Sequence, residues 1–365
     1  MRSPALRHVL THLITPLLMC LGMGLAYMGA FVTPTPHHLP VAVVGEGPRA
    51  KVFAQTVKDQ AGDHLDVRTV PTRSRAVDLL RARDIDGAYV PRAKAPELLV
   101  ASAGSDMGAT AVEKVFTPVA ARQGLPLKVT DVAEPTPHDP TGQGLFFLLV
   151  ALSIGSYASV AAIGAAGATL PMRVRGLLAL GVSAVVGVIG LLLAGPVFHL
   201  ASHGLAGVWA MSWLYSAGIL FVGVGLHTFL KRWTTLAMMV LFVMLNFTSS
   251  GGLFRPDLQN GFFGTLHAFW NGAGFVEGVR GLLYFGNDGL ARGIWTLVVW
   301  LLAGLAVTAV AAGYERMSTP SRRAHAAGAA PTSAAPAVSG GRNEVARAAR
   351  AEQAAEEETE ESVAV

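Results

Sequence analysis

Six apolar runs, each near the roughly 20 residues needed to cross a ~30 Å hydrocarbon layer, dominate this sequence, and a polar segment of about 110 residues separates the first from the other five. The runs read as Val9–Val32, Gly144–Thr169, Leu177–Leu200, Trp209–Leu230, Trp233–Ser250 and Ile294–Gly313. Hydrocarbon offers no partner to a backbone N–H or C=O, so each run predicts a helix. The fold class that follows is an integral membrane protein of six transmembrane α-helices, with an extracytoplasmic α/β domain inserted between the first and second spans. Composition agrees, because 52% of residues are hydrophobic and only 14% charged, against about a quarter charged in soluble domains.

Orientation follows from where short loops hold Lys and Arg, which are in excess on the cytoplasmic side. Arg2 and Arg7 precede the first run, Arg173 and Arg175 separate the second and third, Lys231 and Arg232 separate the fourth and fifth, and Arg316, Arg322 and Arg323 follow the sixth. On the other side lie the uncharged turn His199–Gly207 and the segment Gly251–Arg292, where Arg255, Arg280 and Arg292 are matched by Asp257, Glu277 and Asp288. The expectation is a multi-pass protein of the cell membrane with both termini cytoplasmic. The first run exceeds the 7–15 residues of a signal-peptide core and ends in no A-x-A site, so an uncleaved anchor is expected. The net charge of +4 is largely this positive-inside bias, and no basic block interleaved with aromatics points to nucleic acid. Cys20, the only cysteine, falls within the first run, which leaves the polar segment without a disulfide and predicts a small packing residue.

The chain divides into a stub and first span (1–32), an extracytoplasmic domain with Pro-rich linkers (33–143), a five-span membrane domain (144–313) and a disordered cytoplasmic tail (314–365). Thr33–Pro40 has three prolines in eight residues and predicts a stiff spacer. Beyond it, β-rich runs at Val41–Val44, Leu65–Val70, Ile85–Val90, Leu98–Ser102 and Lys128–Val132 alternate with helical patterns at Arg49–Ala61, Arg73–Arg83 and Ala109–Gln123. That alternation predicts a mostly parallel sheet. Residues 261–285, with Phe262, Phe263, Leu266, Phe269 and Trp270 before the helical pattern Phe275–Phe285, predict two interfacial helices on the outer side.

Candidate chemistry is sparse. No G-x-x-x-x-G-K-[ST] phosphate loop occurs, so energy from ATP would have to come through a separate subunit. Gly45-Glu46-Gly47-Pro48 between a strand and a helix reads as a tight turn, since the third glycine of a dinucleotide loop is missing. His199 and His203, or His37 and His38, have metal-ligand spacing but no carboxylate or cysteine beside them. Within the runs ionisable side chains are scarce; only His12 and His227 come close to a buried relay, both near a cytoplasmic end, which disfavours proton- or ion-coupled transport. No catalytic, cofactor or metal site is expected, and the chain is read as a non-enzyme. Glu277 and Arg280 stand three apart and can pair on one helix face, either anchoring that helix at the interface or closing an outer cavity between subunits.

Three stretches resemble the YhgE/Pip (phage infection protein) family of membrane proteins, and together they span nearly the whole chain except the tail. They are Pro34–Val44, PTPHHLPVAVV; Asn246–Gly252, NFTSSGG, in which Asn246, Ser250, Gly251 and Gly252 match an Asn-Pro-x-Ser-Gly-Gly stretch; and Gly274–Phe285, GFVEGVRGLLYF, whose Glu277, Arg280, Tyr284 and Phe285 match a family helix. That family is placed beside the permeases of type-2 ABC exporters. The resemblance implies a permease-like protein exporting, or assisting export of, an amphipathic or lipid-like molecule, surrounded by membrane lipid and working as a homodimer with a separate ATPase. It also implies the alternative of a non-transporting envelope scaffold or surface receptor, as for the phage-receptor use of relatives.

Overall fold

Short β-strands whose central members are buried on both faces build the polar segment into a three-layer unit. The computed structural model describes residues 4–32 and 36–328, with side chains for 13–32 and 36–317. The elements are β1 (Leu39–Val44), α2 (Pro48–Ala61), β2 (Leu65–Val70), α3 (Arg73–Arg81), β3 (Gly87–Val90), β4 (Glu97–Val100), α4 (Asp106–Arg122) and β5 (Lys128–Asp131), after an N-terminal helix α1 (Pro4–Phe31). Strand order is β2-β1-β3-β4-β5, with β1 parallel to β2 and β3, β4 parallel to β5, and β3 antiparallel to β4. Residues two apart share a face of a strand. Val41, Tyr89, Leu98 and Val100 therefore meet Val57 of α2 and Val112 and Phe116 of α4, whereas Ala42, Ala88, Val90 and Leu99 meet Ala76, Leu79 and Leu80 of α3. The Tyr89 ring stacks against both Phe53 and Phe116 at 5.1 Å between centroids.

The first strand starts earlier than the proline pattern predicts. Leu39 is fully buried and pairs in register with Leu65, so Leu39 and Pro40 belong to the sheet rather than to a spacer. Residues 33–35 of that spacer lie outside the described residues.

Five helical stretches are long and apolar enough to cross a membrane: Leu13–Phe31, Gly144–Ala166, Met172–Val197, Leu205–Ser249 and Leu290–Met317. They comprise the apolar part of α1, then α5 (Gly144–Ala166), α6 (Met172–Leu192, continued by a π turn at Leu193–Val197), α7 (Leu205–Leu230) with α8 (Thr234–Met239) and α9 (Leu245–Ser249), and α12 (Leu290–Gly328). The stretch Leu205–Ser249 is 45 residues long but is not one rod. Lys231 takes a left-handed φ of 47°, ending α7, and the chain turns back. A hydrogen bond of 2.6 Å from Asn246 Nδ2 to Tyr215 OH fixes α9 beside the middle of α7, so the two arms run antiparallel. A π turn at Val240–Met244 interrupts the second arm.

Helix α1 packs least: Leu17, Leu21, Leu25 and Met28 remain mostly exposed, and so does Cys20. Cys20 is thus no packing residue; it faces away from the neighbouring helices. The last helix also differs from expectation, continuing past Gly313 to Gly328. Extending a helix already nucleated fixes only one residue per new hydrogen bond, and Glu315 adds an ion pair to Arg175. The part of the expected tail from 329 to 365 lies outside the described residues.

Helices α10 (Gly261–His267) and α11 (Asn271–Tyr284) complete the end of the bundle beside the sheet domain. Amphipathic spacing predicts an interfacial position for α11, yet Asn271–Val276 and Gly278–Gly281 are all buried. Glycines explain the depth. A Cβ at Gly272 would stand 2.4 Å from Asn246 Oδ1, and one at Gly293 of α12 would stand 2.7 Å from Gly278 Cα. Backbones approach this closely only without side chains between them.

Candidate functional site

The turn after α3 aims one arginine away from the sheet domain. Arg83 has a left-handed φ of 60°, its N–H bonded to Leu80 O, and this sends its guanidinium across to α11. There Arg83 Nη1 lies 2.5 Å from Glu277 Oε2, Nη2 donates to Asp288 O at 3.1 Å, and the guanidinium sits over the Phe285 ring. Glu277 also pairs with Arg280, one turn further along α11, so one carboxylate holds two guanidiniums. Arg280 in turn donates to Gly251 O at 3.2 Å. Gly251 has a φ of 72°, and a Cβ there would strike the His267 ring at 2.6 Å.

A second bridge joins the same two regions. Arg255, in the segment between α9 and α10, lies 2.7 Å from Asp86, the residue before β3, and 3.3 Å from Asp257. Three residues on, Leu258 is buried within the apolar core beside α2 and α4, with Phe254 packed against that core, and Asp257 O accepts the His37 N–H at 2.7 Å. The sheet domain and the helices up to Arg316 form one compact unit.

These groups wall a cavity of about 400 Å³, with Arg83, Arg255, Asp257, His267, Glu277 and Arg292 in its lining. Burial shapes their titration. Asp86 is pushed up from its ordinary 3.8 to about 6 by burial, against the opposing pull of Arg255. Burial would also raise Glu277, but Arg280 and Arg83 outweigh it and hold the carboxyl below its usual range. Burial lowers His267, whose Nδ1 lies 2.9 Å from Ser249 O. Arg280 is likewise lowered by burial, with Glu277 opposing.

Beneath the cavity a fully buried polar chain runs through the bundle. Ser153 Oγ of α5 meets Tyr215 OH of α7 at 2.5 Å, Asn246 Nδ2 donates to that hydroxyl, and Asn246 Oδ1 accepts the Gly272 N–H at 2.7 Å. Ser156 and Ser216 pair alongside at 2.6 Å. Each group satisfies another where water is excluded, which ties α5, α7, α9 and α11 into one arrangement.

Of the residues singled out in the sequence, Glu277 lines the cavity, and Arg280 joins it to Gly251 just behind that wall. Asn246 anchors the polar chain, Ser250 Oγ caps the turn by accepting the Gly252 N–H at 3.1 Å, and a Cβ at Gly252 would press the Phe146 side chain. Phe285 lies under Arg83, while Tyr284 is half-buried at the end of α11. His199 packs against His138 at 5.2 Å between rings, and among the described residues no three His, Cys, Asp or Glu side chains gather as a metal site. Pattern reading missed Arg83, Asp86, His267, Ser153 and Tyr215. The one local signal was uncharged polar side chains, Ser153, Tyr215 and Asn246, midway along apolar runs. No family model, curated protein or solved structure matches the chain.

Proposed function

We propose that this protein is a permease-like component of the cell membrane, with six crossings, both ends cytoplasmic and the sheet domain outside, that exports or assists export of an amphipathic or lipid-like molecule. In this reading α7 and the α8–α9 arm are separate crossings. The arm Thr234–Ser249 reaches only about 24 Å at 1.5 Å per residue. It therefore stops short of the outer surface, and α10 and α11 fill the remaining depth. The observation that carries the proposal is the cavity between charged groups of the sheet domain and α11 on one side and the start of α12 on the other. Trp295, Val299 and Leu302 of α12 are apolar and exposed, and Arg292, Gly293 and Thr296 of the same helix line the cavity, so a polar head and an apolar tail meet suitable surroundings along one helix. The likeness to YhgE/Pip proteins and type-2 ABC permeases supports the same reading, and adds a homodimer and a separate ATPase.

The competing proposal is a scaffold or surface receptor, favoured by the bridges that hold the sheet domain to the bundle. Purification in mild detergent followed by mass spectrometry separates the two. An ATPase recovered with the protein, together with outward movement of a fluorescent lipid in proteoliposomes holding both, is the expected result. Neither an ATPase nor lipid movement above empty liposomes would leave the scaffold reading.

A further inference from the structure

A second cavity lies at the opposite end of the bundle from the sheet domain, and the outer site makes no use of it. It measures about 310 Å³ and lies between α5 and the turn joining α7 to α8. Tyr157, Val160, Ala161 and Ala165 form one wall and Met238 the other, while Lys231 and Arg232 stand at the rim. No Asp or Glu lines it. Among the described residues neither Lys231 nor Arg232 takes part in an ion pair; Arg232 instead covers the Trp233 ring at 5.4 Å, and both cations are exposed. His227 Nδ1 and Thr234 Oγ1, 3.1 Å apart, satisfy each other within the lining.

We infer that this groove binds one anionic glycerophospholipid, its phosphate at Lys231 and Arg232 and the upper part of an acyl chain along Ala161, Val160 and Tyr157. Three features point to that occupant together. The rim is uniformly cationic with no acid to neutralise it, which suits a phosphodiester. The walls are apolar for about 12 Å of α5, from Tyr157 to Ala165, which suits the first part of an acyl chain and not a free anion. The groove also sits where a Trp and an Arg mark the edge of the apolar layer, the depth at which lipid phosphates lie. The inference goes beyond the export reading, because a lipid seated here would be bound whether or not the protein moves anything.

The test uses the full chain purified in detergent and native mass spectrometry with dioctanoyl phosphatidylglycerol, dioctanoyl phosphatidylcholine or inorganic phosphate added. Wild-type protein should retain phosphatidylglycerol in preference to phosphatidylcholine, with inorganic phosphate unable to displace it. Each cationic side chain is worth roughly fivefold in affinity for an anionic lipid, so Lys231→Gln/Arg232→Gln should weaken phosphatidylglycerol about 25-fold and leave phosphatidylcholine unchanged. Both positions are exposed, so this variant keeps its fold. Ala161→Phe, filling the wall without altering charge, should weaken both lipids together. Equal retention of the two lipids by wild type, an unchanged preference in the double variant, undiminished binding in Ala161→Phe, or displacement by phosphate would each overturn the assignment.

Discussion

Neutralising Glu277 is the sharpest perturbation of the outer site, because one carboxylate there faces two guanidiniums. The Arg280 side chain is 4% exposed, Arg83 14% and Glu277 25%. At such burial water does little to screen a charge left behind. In Glu277→Gln, Arg280 keeps only its bond to Gly251 O and still confronts Arg83 and Arg255. Breaking a buried pair by removing one partner costs about 3–5 kcal/mol, whereas an exposed pair is worth about 0–1 kcal/mol. At about 2–4 °C per kcal/mol for a domain of 150–250 residues, the melting temperature in detergent should fall by roughly 6–20 °C. Arg280→Gln should cost less, since Arg83 still faces the carboxylate. Combining the two should cost less than their sum, because with Arg280 gone the lost carboxylate strands only Arg83. Scanning fluorimetry of the four proteins, with the exposed pair variant Lys58→Gln as control, measures this. Single variants that melt within 2 °C of wild type would show that the pair merely anchors a helix end, and the argument from burial would fail.

Asp86→Asn should reveal a pH dependence of defined sign. Its folded value near 6, above the ordinary 3.8, means the folded state holds the proton more tightly. Stability therefore falls as pH rises from about 4 to about 6 and is level above, a loss of roughly 3 kcal/mol at 1.36 kcal/mol per pH unit. Lowered His267 slopes the other way below 6.5, so the quantity to measure is the difference between wild type and Asp86→Asn at pH 4.5 and 7; no change in that difference would refute the assignment. Leu258→Ala should destabilise by about 2–5 kcal/mol, as for a buried core leucine, and a sheet domain produced alone as residues 36–134 should melt below the full protein; equal melting would show that Leu258 is dispensable. Asn246→Ala should cost about 1–3 kcal/mol by leaving the buried Gly272 N–H unpaired, read by the same melt. On a Cys20→Ser background, cysteines at the exposed positions 63 and 203 should label from outside intact cells and one at 232 only after lysis; the reverse pattern would invert the proposed orientation.

What the sequence made legible was local in origin. Short apolar runs with β-branched residues mark Leu65–Val70 to the residue and, at Val41–Val44, all but the first two residues of the strand, and α2 and α3 follow from apolar spacing between polar turns. Lys231-Arg232 flags the reversal between α7 and α8, since two cations inside an apolar stretch cannot remain in hydrocarbon. The rest depends on partners distant in the chain. Nothing near Arg83 indicates a carboxylate 194 residues later, and the polar setting of Leu258 gives no hint that it completes the core of another domain. Helix α11 reads as interfacial because it carries a charged pair and a modest apolar face. Its glycines, which let it sink between α7 and α12, look in sequence like helix-weakening residues.

The same remote pairings limit how the outer site can change shape. Pulling the sheet domain off the bundle as a rigid body would unpair Arg83 from Glu277 and Asp86 from Arg255, and strip Leu258 from its core, in one step. Stripping Leu258 alone is worth about 2–5 kcal/mol, a large share of the 5–15 kcal/mol that holds a typical domain folded, whereas the ion pairs add less because their groups regain hydration on separating. Movement that keeps those contacts is far less costly. The segment Phe254–Leu258 and the ends of α10 and α11 are fastened to the sheet domain by them, whereas α11 meets α12 through glycines, Gly278 against the Gly293 backbone and Gly274 against the Thr296 side chain. Sliding between α11 and α12 breaks none of the ion pairs named above. The cavity wall formed by α12 is therefore the one that can yield while the charged wall stays fixed.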